Sequence, residues 1–161
     1  MAQAAYVAVI GPGEPDPEAY ELALQVGAEL ARRGAIVVCG GLGGAMEAAC
    51  RGAKSAGGTT VGILPGLDRE AANEFVDVAL PTGMGELRNG LVVRAADAVV
   101  AVQGEFGTLS EISFALKTGV PVVGLDTWEL VKGGAEAGAI VRVAAPAEAA
   151  EEALRRVRRW P

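Results

Sequence analysis

The stretch Ala98-Val-Val-Ala-Val-Gln-Gly-Glu-Phe-Gly-Thr-Leu-Ser-Glu-Ile-Ser-Phe-Ala-Leu-Lys117 starts as one kind of structure and ends as another. Ala98 to Val102 is a short, unbroken, β-branched apolar run, the length and composition of a strand buried on both faces. Gly104 and Gly107 then punctuate a tight loop. Beyond it Leu109, Ile112 and Leu116 recur at helical spacing, with Thr108 predicted as the N-cap. A strand, a glycine loop and a helix N-terminus in succession leave backbone N–H groups unpaired beside the positive end of a helix dipole, a place where phosphate binds. A second reading stands beside that one: Thr108-Leu-Ser-Glu111 also fits the capping box, in which Glu111 only reaches back to the helix start.

The same alternation runs through the chain. Apolar runs are predicted as strands at Ala5–Ile10, Ile36–Cys39, Thr59–Leu64, Val76–Leu80, Val122–Leu125 and Ile140–Val143. Between them lie helical patterns. The first carries Tyr20, Leu24, Val26, Gly27 and Leu30 on its inner side; the others span Ala45 to about Ala56, Glu86–Ala95, Thr108–Thr118 and Pro146–Arg159. Repeated strand–helix alternation predicts one α/β, Rossmann-like, doubly wound domain: about seven mostly parallel strands, helices on both faces, and Ala98–Val102 at the centre. Ligands in such sheets bind at the carboxyl ends of strands, where the glycines of this chain cluster. Gly11-Pro12-Gly13 follows the first strand, Gly40-Gly41-Leu42-Gly43-Gly44 the second, and Pro65-Gly66 the third. The polar stretch from Leu67 to Phe75 reads as a surface lid, and Gly133 to Gly138 as the least ordered segment.

Composition narrows the function classes. With 161 residues, 51% of them hydrophobic, the chain can bury a substantial core, and at 4% aromatics it must build that core from aliphatic side chains. Fourteen cationic side chains against twenty acidic ones give a net charge of −6, which disfavours a nucleic-acid partner. Arg155, Arg156, Arg158 and Arg159 are expected as a solvated helix end. No apolar run reaches membrane-spanning length, and a cytoplasmic location is expected. The absence of histidine excludes a His-dependent triad, Cys39 and Cys50 lack a disulfide or metal-ligand spacing, and no metal site is expected. The glycine loops contain neither the Gly-Lys-Ser/Thr of a Walker loop nor the G-x-G-x-x-G of a dinucleotide fingerprint.

Three segments in order carry a family resemblance: Gly40-Gly-Leu-Gly-Gly-Ala-Met46-Glu47, then Arg88, then Gly104-Glu-Phe-Gly-Thr-Leu-Ser-Glu111. From Val7 to about Leu125 the chain resembles the family of the LONELY GUY phosphoribohydrolases, often mislabelled lysine decarboxylases, and the molybdenum cofactor carrier proteins. In the hydrolases the last motif reads Pro-Gly-Gly-x-Gly-Thr-x-x-Glu; here Gln103 stands for the Pro and Glu105 for the second Gly. A carboxylate in a phosphate cradle repels phosphate unless it points away. Asn89 stands where the hydrolases have Lys, and Thr82-Gly-Met-Gly-Glu-Leu-Arg-Asn89 is closer to the carrier branch. Decarboxylation through pyridoxal phosphate needs a Schiff-base lysine, and Lys54, Lys117 and Lys132 lie in no such motif.

The resemblance implies two functions. In the first, the chain binds a phosphorylated small molecule, a nucleotide or the pterin phosphate of molybdenum cofactor, and requires no cofactor of its own. In the alternative, it hydrolyses the N-glycosidic bond of a nucleoside 5′-monophosphate, with Arg88 and Glu111 catalytic: Glu111 meets the oxocarbenium-like charge or activates water, and Arg88 orients the anion. Ligand contact is expected from Gly11, Gly13, Gly40, Gly41, Gly43, Gly44, Met46, Pro65, Arg88, Asn89, Gly104, Phe106, Gly107, Thr108 and Glu111. The resemblance also implies a homodimer or higher homo-oligomer, packed through apolar residues of the helices at 86–95 and 108–118.

Overall fold

The computed structural model describes residues 3–157. In chain order the elements are β1 (Tyr6–Ile10), α1 (Pro17–Arg32), β2 (Ile36–Cys39), α2 (Ala45–Ser55), β3 (Thr60–Leu64), β4 (Val78–Pro81), α3 (Asn89–Arg94), β5 (Ala98–Val102) and α4 (Phe106–Thr118). They continue with β6 (Val122–Leu125), β7 (Val131–Lys132), β8 (Ala135–Glu136), β9 (Ile140–Val143) and α5 (Pro146–Arg155). Seven strands form one sheet in the order β4-β3-β2-β1-β5-β6-β9, every pairing parallel. This is the doubly wound sheet expected from the alternation.

Side chains alternate between two cores, as the pleat requires. Val7, Val9, Val37, Val100 and Val102 point to α1, α2 and α5, whereas Ala8, Ile10, Val38, Val99 and Ala101 point to α3 and α4. All five residues of β5 are inaccessible to solvent, as an unbroken apolar run covered on both faces requires. The chain winds outward from β1 to the β4 edge, then returns through α3 to place β5 on the other side of β1. The β1/β5 junction is therefore where strand order reverses, and the loops leaving these two strands must part around a crevice.

Two glycines set the distance between α1 and α2. A Cβ on Gly27 would lie 2.0 Å from the Ala49 carbonyl oxygen, and one on Gly52 would lie 1.8 Å from that of Leu24. The helices thus touch backbone to backbone. This is why Ala19, Ala23, Val26, Gly27 and Leu30 form the buried stripe of α1, while Tyr20 and Leu24, expected on the inner side, are only half-buried.

Several boundaries differ from the expected ones. Strand β4 spans Val78–Pro81 rather than Val76–Leu80, and just before it the Asp77 carboxylate accepts the N–H of Thr60 (2.9 Å). The helix expected over Glu86–Ala95 is a 3-10 turn, Gly85–Arg88, followed by α3. Part of Gly133 to Gly138 is regular: Lys132 pairs with Ala135 across Gly133-Gly134, whose φ of 61° and 80° make the two-residue turn that closes β7 on β8, while Ala137 and Gly138 belong to no strand or helix. Helix α5 ends at Arg155, and Arg156 pairs with Glu152 at 3.0 Å. Arg158 and Arg159 lie outside the described residues. Among the described residues no helix is long and apolar enough to cross a membrane.

Candidate functional site

A cavity of about 290 Å³ opens at the carboxyl ends of the central strands. Gly11 and Gly13 after β1, Gly40 and Met46 after β2, and Pro65 after β3 line one part of it. Arg88 and Asn89, where the 3-10 turn meets α3, and Gly107, Thr108 and Glu111 in the first turns of α4 line the rest. Ten of the fifteen expected contact residues thus converge there from five segments. Leu42 and Glu86 also stand on the wall and were not among the candidates. The only sequence signal for Glu86 was its place two residues before Arg88.

The other five sit elsewhere for definable reasons. Gly41, with φ of 77°, packs on Leu64 and Gly62 and donates its N–H to the Cys39 sulfur at 3.3 Å. Gly44 caps α2 with φ of 70°, so close to the Gly13 carbonyl that a Cβ would lie 2.2 Å from its oxygen. Gly43 has open space around it. Gly104, with φ of 114°, lies under the Thr108 side chain. Phe106 is exposed and leans on Trp128, their ring centres 5.7 Å apart.

Helix α4 begins at Phe106, two residues before the expected start, with Glu105 in extended geometry at the N-cap. Thr108 is therefore inside the first turn, and no capping box forms with Glu111. Three residues apart on one helix face, Thr108 and Glu111 are both buried against the cavity. Glu111 is 7% exposed and accepts no hydrogen bond from the described residues. Burial pushes its carboxyl up to about 7, against the opposing pull of the nearby Arg88 cation.

Arg88 is 8% exposed. A Cβ at residue 40 would lie 2.2 Å from its Nη1 and 2.6 Å from the Met46 sulfur, so a side chain after β2 would have to displace one or both. Nη1 donates to Asn89 Oδ1 at 3.0 Å, while the buried Nε has no hydrogen-bond partner. Burial draws the Arg88 pKa below its ordinary value and the Glu111 charge opposes that fall. A buried cation with a free donor, on a cavity wall made of glycines and a helix N-terminus, has the chemistry to hold an anionic group.

Under this wall the two cysteines meet without a disulfide, Sγ to Sγ 3.4 Å. The segment read as a lid is pinned to the second glycine loop: Asn73 Nδ2 donates to the Leu42 carbonyl at 2.9 Å, and Asn73 N to that of Gly41 at 2.9 Å. A second, wider cleft of about 720 Å³ lies beyond the β5 loop, lined by Glu14, Asp16, Glu18, Glu105 and Asp126 with Trp128, and no cationic side chain lines it. Glu105 belongs to that cleft rather than to the wall around Arg88. The acidic replacement in the glycine motif thus adds no carboxylate to the cavity that Arg88 lines.

A doubly wound parallel sheet, with glycine loops and a buried Arg and Glu at its switch point, defines an α/β protein of the Rossmann-like class. Residues 4–150 match the SLOG cluster 4 family, and the chain belongs to it. A protein of Archaeoglobus fulgidus, itself uncharacterised, is 44% identical over 127 residues, 79% of this chain and 83% of the relative. A cytokinin riboside 5′-monophosphate phosphoribohydrolase of Mycobacterium tuberculosis is 35% identical over 120 residues, 69% of this chain and 64% of the relative. The solved molybdenum cofactor binding protein of the phototrophic bacterium Rippkaea orientalis superposes with a TM-score of 0.85 at 33% identity, covering 96% of this chain and 98% of the other. The family resemblance read from the three motifs is the one these relatives carry.

Proposed function

We propose that this protein binds a phosphorylated small molecule, a nucleotide or the pterin phosphate of molybdenum cofactor, in the cavity at the β1/β5 switch point. The observation that carries the reading is the buried Arg88 with its free Nε beside the glycine-lined start of α4. Its likeness to a molybdenum cofactor binding protein over nearly the whole of both chains supports a binding role. The second reading, hydrolysis of a nucleoside 5′-monophosphate, draws on Glu111: a carboxyl near pH 7 on the same wall can hold or release a proton during glycosidic cleavage.

One experiment separates the two. AMP binding is measured by calorimetry, and adenine release by chromatography, for the parent, Arg88→Ala, Glu111→Gln and Gly107→Asp. Residue 107 has no neighbour within 4 Å of a Cβ, so the aspartate fits and acts through its charge. The binding reading expects AMP to be held by the parent without adenine release, and weakened at least tenfold by Arg88→Ala and Gly107→Asp. Adenine release by the parent that Arg88→Ala and Glu111→Gln both abolish, with the fold intact, establishes the hydrolase instead.

We also propose a homodimer in the cytoplasm. Met84, Leu87, Leu91 and Phe106, on or beside the elements that carry Arg88 and Glu111, are exposed large apolar side chains, as are the β4 residues Val78 and Leu80. Light scattering at micromolar concentration is expected to give twice the chain mass, and Leu87→Asp with Leu91→Asp to return it to one. A monomeric parent would remove the proposal.

A further inference from the structure

The geometry points to Asn89 as the residue that positions Arg88, anchored through Ser110 to the first turn of α4. Arg88 Nη1 donates to Asn89 Oδ1 at 3.0 Å, Asn89 Nδ2 donates to Ser110 Oγ at 3.3 Å, and Ser110 Oγ donates to the Gly107 carbonyl at 2.6 Å. The chemistry allows one orientation of the amide. Turned over, it would set an NH₂ against the guanidinium, donor against donor, and offer its oxygen to a hydroxyl whose proton is already committed to Gly107. The relay therefore joins the cation of one segment to the helix start of another, the two parts that must close on a single anion.

The amide suits this task better than either charged alternative. A carboxylate at residue 89 would neutralise Arg88 and compete with the ligand's anionic group, while an ammonium would leave Nη1 without an acceptor and add a second cation. With a neutral acceptor the Arg88 charge stays available, and Nε remains its free buried donor. Asn89 thus acts through Arg88, a role that rests on the anion-binding reading of the cavity.

A double-mutant cycle with AMP as the probe tests it. Asn89→Ala in the parent is expected to weaken AMP binding about tenfold and Ser110→Ala about threefold, whereas Asn89→Ala in an Arg88→Ala background changes it by less than about twofold. Equal losses in both backgrounds would overturn the inference, since a merely structural role is additive. A ligand-free readout stands beside the cycle: the Arg88 Nε–H resonance in ¹⁵N spectra is expected to be resolved in the parent and broadened in Asn89→Ala and Ser110→Ala. Ser110 is exposed, so its truncation leaves the core intact. An Nε–H signal unchanged in both variants also overturns the inference. Absence of AMP binding by the parent would count against the function proposed for the cavity, and the resonance would still decide the role of Asn89.

Discussion

Gln103→Pro is expected to lower stability by more than about 3 kcal/mol, a large part of the roughly 5–15 kcal/mol that holds a domain folded. Gln103 stands at the carboxyl end of β5 with φ of 45°, and proline is confined near −65°. The residue also donates its N–H to the Leu125 carbonyl at 2.9 Å, a bond that proline cannot make, and its own carbonyl accepts from Thr127 Oγ1 at 2.5 Å. Gln103→Gly, which keeps both the N–H and the positive φ, should stay within about 1 kcal/mol of the parent. Urea titration of the three proteins measures both effects. A Gln103→Pro variant as stable as the parent would mean that the loop does not have this backbone.

That prediction bears on function because proline is the residue the hydrolase motif carries at this position. Its replacement here is therefore a change in the path of the backbone leaving β5, beyond a change of side chain. With Gln103 left-handed and Gly104 at φ of 114°, the loop turns Glu105 into the acidic cleft and begins α4 at Phe106. A phosphate cradle shaped by Pro-Gly-Gly cannot be transferred onto this loop unaltered. What the chain retains is the Arg and the Glu of the motif, set on the walls of a common cavity.

How much of this was readable beforehand depended on which physical signal was involved. Burial on both faces leaves an unmistakable apolar run, so β1, β2 and β5 were legible with their neighbours, and parallel alternation then placed the glycine loops that follow β1, β2, β3 and β5 at one end of the sheet. The convergence of Arg88 with Glu111 was legible only through the family motifs, since no local spacing links residues so far apart in the chain. The start of α4 was misread because Thr108 and Glu111 fit a capping box, and the extended Glu105 that really caps the helix makes no side-chain bond to advertise itself. Glycine composition also blurred two roles. Gly40 makes room for a guanidinium, whereas Gly44 and Gly104 serve backbone turns with positive φ. The Asn73 tether and the thiol under Gly41 were invisible because they join segments distant in sequence.

The burial of Glu111 has a thermodynamic consequence that can be read without any ligand. Its carboxyl titrates near 4.5 when the chain is unfolded and is pushed up to about 7 in the fold, with burial the main cause. Between those values the folded protein binds a proton that the unfolded chain does not, so stability falls as pH rises through this window and levels off above about 7. A raised acid contributes fully below the unfolded pKa and loses that contribution as the folded pKa is passed. The displacement is worth about 3 kcal/mol at most. Glu111→Gln removes the ionisation and keeps the shape, so the variant is expected to match the parent near pH 4.5 and to exceed it by up to about 3 kcal/mol at pH 8, as read by urea denaturation at the two pH values. The same ionisation places a negative charge on the wall that Arg88 shares, so AMP affinity in the parent should weaken as pH rises from 6 to 8, and in Glu111→Gln it should not. A variant no more stable than the parent at pH 8 would mean that Glu111 is charged and solvated in the native state, and the proton it is argued to hold at the cavity would not be there to use.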